Sequence, residues 1–176
     1  MIKVLDKEFE LYMPLEEIRS VIQRLASEIS RDYKGRTPLI CPVLTGSYMF
    51  AADLTRAIDF DVEVSFVRYT SYSGMSSSGE VKEELPFSDR CSGRDVIIVE
   101  DIVDTGVSME YMLKKLESLH PKSVAICSFF FKPGCFSKQF KIDYIGKSIP
   151  NDFIVGYGLD YNGMGRTYPE VYVVRQ

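Results

Sequence analysis

Apolar positions in the first third of the chain follow two rhythms. Leu15, Ile18, Ile22, Leu25 and Ile29 recur at steps of three and four, which puts them on one face of a helix beginning near Pro14. Pro38 to Val43 is an apolar run of strand length, Leu44-Thr45-Gly46-Ser47 reads as a turn, and Tyr48 to Ile58 as a second helix with Met49, Ala52 and Ile58 inward. Val62 to Tyr69 alternates, predicting a strand that turns Val62, Val64, Phe66 and the stem of Arg68 to one side. It leads into a Ser- and Gly-rich stretch, Thr70 to Gly79, expected to be a mobile surface segment. Asp95 to Val99 is continuously apolar between charges, the mark of a parallel strand buried on both faces. Met109, Met112, Leu113, Leu116 and Leu119 return to helical spacing. Lys122 to Phe130, Ile142 to Ile145, Phe153 to Val155 and Val171 to Val174 are the remaining strand candidates. Strands alternating with helices predict an α/β fold with a mostly parallel sheet flanked by helices and right-handed crossovers. No repeat or linker divides the chain, so residues 1–176 are expected to form one domain.

Composition narrows the class. With 176 residues, 45% of them hydrophobic, the chain can bury one substantial core. Its longest apolar runs, Val96 to Val99 and Val124 to Phe131, fall well short of the roughly 20 residues that cross a bilayer, and no signal-peptide core follows Met1. A soluble, cytoplasmic protein with no membrane partner is expected. The net charge of −4 and the lack of a long basic run argue against an extended nucleic-acid footprint. Cys41, Cys91, Cys127 and Cys135 lie far apart with no Cys-x-x-Cys hook, as reduced cytosolic thiols would. His120 is the sole histidine and precedes Pro121, where it fits a helix end better than a catalytic site.

In open α/β sheets ligands bind beyond the carboxyl ends of the strands, which directs attention to the loops after Val43, Tyr69, Val99 and Phe131. After Val99 the chain reads Glu100-Asp101-Ile102-Val103-Asp104-Thr105-Gly106-Val107-Ser108, three acids and then a Thr-Gly turn opening a helix. Backbone N–H groups of Thr105 to Ser108 would face an anion, with the Thr105 and Ser108 hydroxyls as further donors. Three carboxylates beside a phosphate would repel it unless the ligand also offers donors or a cation, as a ribose diol and Mg²⁺ do. Each acid alone fits a plainer role: Glu100 and Asp101 ending a strand in water, Asp104 capping the helix. Lys132, at the end of an apolar strand, likewise fits a snorkelling surface residue, and Phe153-Ile154-Val155 fits ordinary core. Gly74 and Gly79 have P-loop spacing, but Glu80 stands where that motif needs Lys.

The segment from Glu100 to Ser108 resembles the binding motif for phosphoribosyl pyrophosphate (PRPP) in type I phosphoribosyltransferases. Phe131-Lys132-Pro133, the stretch Phe153 to Asn162 and Arg166 are similar to the hypoxanthine-guanine branch of that family, and the likeness runs from about Leu44 to Val174. The resemblance implies the type I phosphoribosyltransferase fold, with a small hood formed by the terminal segments, and a transferase joining a 6-oxopurine to PRPP with Mg²⁺ as cofactor. It implies that Glu100 and Asp101 hold the ribose hydroxyls, that Asp104 is the general base, and that Asp104, Thr105, Gly106, Val107 and Ser108 cradle the ribose phosphate. Lys132 would read the six-position oxygen, Phe153 stack on the base and the Ile154 backbone read its edge. Asp160, at the base pocket, would coordinate Mg²⁺ together with Glu100 and Asp101. Thr45, Gly46 and Arg166 would bind pyrophosphate, with a non-proline cis peptide between Leu44 and Thr45, and Ser71 and Tyr72 would be the hinge of a lid over residues 70 to 81. Many relatives have Lys at the position of Thr45 and Gly at that of Ser47, and some have Arg at that of Phe136. A homo-oligomer, dimer or tetramer, is implied as well. A PRPP sensor on the same fold that binds RNA or DNA is the competing reading, and it would need neither Asp104 as a base nor a purine pocket.

Overall fold

In the computed structural model, which describes residues 1–71 and 81–175, the chain opens with an antiparallel pair, β1 (Ile2–Val4) and β2 (Lys7–Met13). Helix α1 (Leu15–Asp32) follows, then β3 (Leu39–Leu44), α2 (Tyr48–Ala57), β4 (Glu63–Val64), β5 (Val67–Ser71) and β6 (Val81–Leu85). The second half contains β7 (Asp95–Val103), α3 (Val107–Glu117), β8 (Ser123–Phe131), β9 (Tyr144–Ser148), β10 (Ile154–Val155) and β11 (Val171–Val174). Among the described residues the main sheet runs β6-β5-β3-β7-β8-β9, with β4 also beside β3. Every pairing in it is parallel except β5 with β6. Strands from both termini build the second, antiparallel sheet, β1-β2-β11-β10, which is the expected hood.

Alternation along the central strands divides the core between the two faces. Ile40, Ile97, Val99, Cys127 and Phe129 pack with Ile18, Ile22, Leu25, Ala26 and Ile29 of α1 and Phe50, Ala51 and Leu54 of α2. Leu39, Cys41, Val43, Val96 and Ile98 face Met109, Met112 and Leu116 of α3. The stripe on α1 therefore lies where its spacing puts it, with Glu16 and Glu17 in the first turn and Arg31 in the last, matching the helix dipole. Leu25 is fully buried, so Leu25→Ala would cost about 2–5 kcal/mol. Pro42 sits inside β3, a strand paired on both sides, although proline has no N–H for a ladder. Pairing of β3 with β4 stops at Ile40↔Val64 and pairing with β5 resumes at Val43↔Val67, so the missing donor coincides with a gap in the neighbouring strands.

Several expectations need correction. Ile58 is buried and Met49 packs against the core as expected, but Ala52 is exposed, and the buried residues within α2 are Phe50, Ala51 and Leu54. The strand expected over Val62 to Tyr69 is two short strands, and Val67 and Tyr69 are the buried residues. Val64, Phe66 and Arg68 are exposed, because the apparent alternation runs across the gap opposite Pro42 and its buried phase is the opposite one. β7 continues beyond Val99 to Val103, so Glu100 and Asp101 lie within the strand instead of after it. The short strand expected at Ile142 to Ile145 lies at Tyr144–Ser148. Tyr72 and most of the expected lid, residues 72–80, lie outside the described residues. No helix among the described residues is long and apolar enough to cross a membrane.

Candidate active site at the carboxyl end of the sheet

Two parallel strands, β7 and β8, carry the acids and the lysine side by side. The Lys132 backbone N–H donates to the Val103 carbonyl (3.0 Å), which continues the β7–β8 pairing beyond the last strand residues. Asp104 and Lys132 follow directly after these adjacent strands, and Lys132 Nζ lies 3.7 Å from Asp104 Oδ2. Lys132 is buried and also donates to Asn151 Oδ1 at 3.3 Å. A snorkelling lysine would hold its ammonium in water; this one is drawn inward between a carboxylate and an amide. Asp104 Oδ1 is buried with no hydrogen-bond partner among the described residues, an acceptor left open at the site.

Glu100 and Asp101 are partly buried neighbours with no basic side chain within salt-bridge distance among the described residues. Their local bonds are to the backbone: Asp101 N–H donates to Glu100 Oε1 (3.1 Å) and Ile102 N–H to Asp101 Oδ1 (2.8 Å). Burial, reinforced by the negative charge of Asp101, holds the Glu100 carboxyl well above the usual carboxylate range. Burial raises Asp101 too, against the opposing hydrogen bonds from Glu100 and the Ile102 N–H and the weaker attraction of Arg166. The turn after them brings Gly106 to φ +82 at the N-cap of α3, a conformation few residues other than glycine adopt readily. A Cβ there would strike Phe136 and Lys138. Residues 100 and 102–109 line a pocket of 120 Å³. Larger hollows, of 530 to 590 Å³, lie along α1, α2 and the segment after α2. None of them contains the Glu100-to-Asp104 acids or the start of α3, so chemistry and not volume identifies the site.

The loop after β3 completes the arrangement. The Leu44–Thr45 peptide is cis, as the resemblance implied. A Cβ on Gly46 would collide with the Asp101 carboxylate, and one on Gly158 with the Gly46 carbonyl oxygen, so the three segments touch through backbone that only glycine permits. Arg166 donates through Nη1 to the Gly158 carbonyl (2.7 Å) and pairs through Nη2 with Asp160 Oδ1 (2.6 Å). Asp160 Oδ2 accepts from Gly163 N–H at 2.6 Å. Ile154 is buried in β10. Phe153 is 42% exposed, with Tyr161 at 5.6 Å and Phe9 at 6.3 Å between ring centroids. Its ring is thus available as a stacking surface at the hood, and the reading of Phe153-Ile154-Val155 as plain core does not hold for its first residue.

A sequence model of the phosphoribosyl transferase domain matches residues 14–162. The chain belongs to the phosphoribosyltransferase family. Among its relatives are the hypoxanthine-guanine phosphoribosyltransferases of Aquifex aeolicus, 36% identical over 99% of both chains, and of Lactococcus lactis, 40% identical over 98% of this chain and 95% of that one. It also spans a quarter of the length of the bifunctional protein TilS/HprT of Listeria monocytogenes, at 35% identity over 91% of this chain. A solved hypoxanthine-guanine phosphoribosyltransferase from Bacillus anthracis superposes with a TM-score of 0.90 at 32% identity, covering 97% of this chain and all of that one.

At two of the three positions where the chain departs from the pattern of many relatives, Ser47 and Phe136, the side chain packs within the protein. Ser47 is fully buried and donates through Oγ to the Val43 carbonyl (2.6 Å), fastening the loop to its own strand. Phe136 packs edge-on against Phe131 and Phe140 and backs the Gly106 turn. Asn151 was not anticipated from the sequence, and nothing in its local spacing marks it. The described residues contain no group of three or more His, Cys, Asp or Glu side chains placed to hold a metal. Glu100, Asp101 and Asp160 therefore do not form a protein-only cage. Two partly buried carboxyls without a salt-bridge partner among the described residues do suit Mg²⁺, which commonly takes one or two carboxylates and completes its shell with water and substrate phosphate.

Proposed function

We propose that this protein is a hypoxanthine-guanine phosphoribosyltransferase, converting hypoxanthine or guanine and PRPP into IMP or GMP and pyrophosphate. One observation carries the reading: Lys132 is drawn inward to 3.7 Å from Asp104 at the carboxyl end of β7, where Glu100 and Asp101 have no cationic partner at salt-bridge distance among the described residues. A lysine donor and a carboxylate acceptor side by side match the six-position oxygen and the imidazole nitrogen on one edge of a 6-oxopurine. A PRPP sensor has no need of that pair.

In this mechanism the purine stacks on Phe153, the Ile154 backbone meets its edge and the Lys132 ammonium donates to its six-position oxygen. Backbone N–H groups and hydroxyls from Thr105 to Ser108 hold the ribose phosphate at the start of α3, and Glu100 and Asp101 accept from the ribose hydroxyls. Gly46, Thr45 and Arg166 face the pyrophosphate, Arg166 by its guanidinium fork. As the bond from the anomeric carbon to pyrophosphate breaks, its electron pair leaves with the pyrophosphate and an oxocarbenium-like sugar develops. The purine nitrogen forms the new bond, and Asp104 takes the proton released from the imidazole ring. Mg²⁺ held by Glu100, Asp101 or Asp160 would neutralise charge on the leaving pyrophosphate. We further propose one domain over residues 1–176, a cytoplasmic location and a homo-oligomeric state, dimer or tetramer, which sedimentation would check.

The test is nucleotide formation from labelled hypoxanthine, guanine, xanthine and adenine with PRPP and Mg²⁺, beside a salt-dependent nucleic-acid binding assay. Product from the 6-oxopurines and little from adenine is expected. Product from none of the four bases would overturn the reading in favour of a PRPP sensor.

A further inference from the structure

The corner between Gly156 and Leu159 has an unusual occupant. Gly156 and Leu159 exchange both backbone hydrogen bonds, each 3.0 Å, and the two residues between them have positive φ, Tyr157 at +49 and Gly158 at +98. Such two-residue hairpin turns favour Asn-Gly, and a bulky aromatic at the first position is uncommon. Here the aromatic is held from three sides. Its ring is buried 5.2 Å from that of Phe129, its backbone N–H donates to the Tyr168 carbonyl (2.8 Å), and its hydroxyl donates to Asp53 Oδ2 (2.9 Å).

Asp53 lies on α2, the helix that grows directly out of the Thr45–Ser47 loop. Gly158, the other corner residue, rests on the Gly46 carbonyl of that loop. The contacts therefore close a ring: loop, helix, Asp53, Tyr157, Gly158 and back to the loop. We infer that Tyr157 is a positioning residue that fixes the pyrophosphate loop against the purine-side turn through Asp53. The inference rests on the assignment of Thr45 and Gly46 to pyrophosphate given above. Lys132, Phe153 and Ile154 lie outside the ring, so loosening it should weaken PRPP and pyrophosphate binding and spare the base. A hydroxyl that merely satisfies its own burial would show no such split.

The test uses Tyr157→Phe, Asp53→Ala, Asp53→Asn and the double variant Tyr157→Phe/Asp53→Ala in the full chain. Loss of one partly buried, charge-assisted hydrogen bond should raise the KM for PRPP about ten-fold in Tyr157→Phe and in Asp53→Ala, with the purine KM changing less than about two-fold. Asp53→Asn keeps an acceptor oxygen and should recover most of what Asp53→Ala loses, while the double variant should be no worse than either single one. If Tyr157→Phe folds poorly, the two Asp53 variants carry the test, since that side chain is at the surface of α2. An unchanged PRPP KM, an equal rise for both substrates, or additive losses in the double variant would overturn the inference. Titration calorimetry with magnesium pyrophosphate reads the same loop without turnover. A wild-type protein that makes no nucleotide, yet binds pyrophosphate about ten times more tightly than Tyr157→Phe does, would remove the proposed reaction and leave the inference standing.

Discussion

At the start of β7 the Asp95 carboxylate accepts from Ser123 Oγ at 2.5 Å and faces Arg36 at 3.4 Å and Lys122 at 3.5 Å. Further along the same strand Glu100 and Asp101 face no basic side chain at salt-bridge distance among the described residues. The consequences are opposite. The Ser123 hydrogen bond and the nearby cations hold Asp95 below the usual carboxylate range, whereas burial pushes Glu100 well above it. The fold supplies Asp95 with partners and leaves Glu100 and Asp101, which on the proposed function serve a ligand, short of them. One strand displays both conditions.

The comparison can be broken most sharply at Asp104. Asp104→Asn should lower turnover about 10²- to 10⁴-fold, with PRPP binding by calorimetry retained, and unchanged turnover would remove its role as base. The double variant Glu100→Gln/Asp101→Asn should weaken PRPP binding about 10- to 100-fold through lost charge-assisted hydrogen bonds. It should also melt higher than wild type without ligand, by about 2–5 °C, because two poorly compensated carboxyls are gone. A lower melting temperature would mean that the pair is structural after all. At the other end, Asp95→Ala should cost about 1–3 kcal/mol of stability in a denaturant titration while leaving turnover of the folded enzyme near wild type.

The smallest effect is in the pH dependence of the metal-free protein. Glu100 keeps its proton in the folded state above the pH, about 4.3, at which the unfolded chain releases it, so its contribution to stability declines as pH rises towards the folded-state pKa. Asp95 has the reverse sign: its contribution is complete above about pH 4 and is lost as pH falls through its depressed folded pKa. The melting-temperature advantage of Glu100→Gln/Asp101→Asn should therefore grow between pH 4.5 and 7. A constant difference across that range would show that the two ends of β7 do not differ in the way described.

Much of this contrast is legible in the sequence, and the illegible part has identifiable causes. The central strands and the α1 stripe are readable because burial on two faces and on one face leaves different periods. The acids and the Thr-Gly turn are contiguous, so local spacing shows them together. Phe66 misleads because the neighbouring ladder is interrupted opposite Pro42, which no local pattern records. The contacts of Lys132 with Asn151 and of Tyr157 with Asp53 are tertiary, and composition cannot reveal which polar residue a fold will bring to another. Arg36 and Lys122 look like any surface charges until β7 places Asp95 between them.

The peptide hydrogen bond from Lys132 to Val103 acts as a gauge, because it fixes how far apart the donor and the acceptor that follow it can stand. Side-chain replacement can alter what is sensed at either mark, but the interval is written in main chain. On the proposed function, a fused bicyclic base with oxygen and nitrogen on one edge is what would meet both marks. A single-ring pyrimidine has no second ring with which to meet both marks, so on that reading engineering the protein towards pyrimidines would have to begin by shifting one strand against the other.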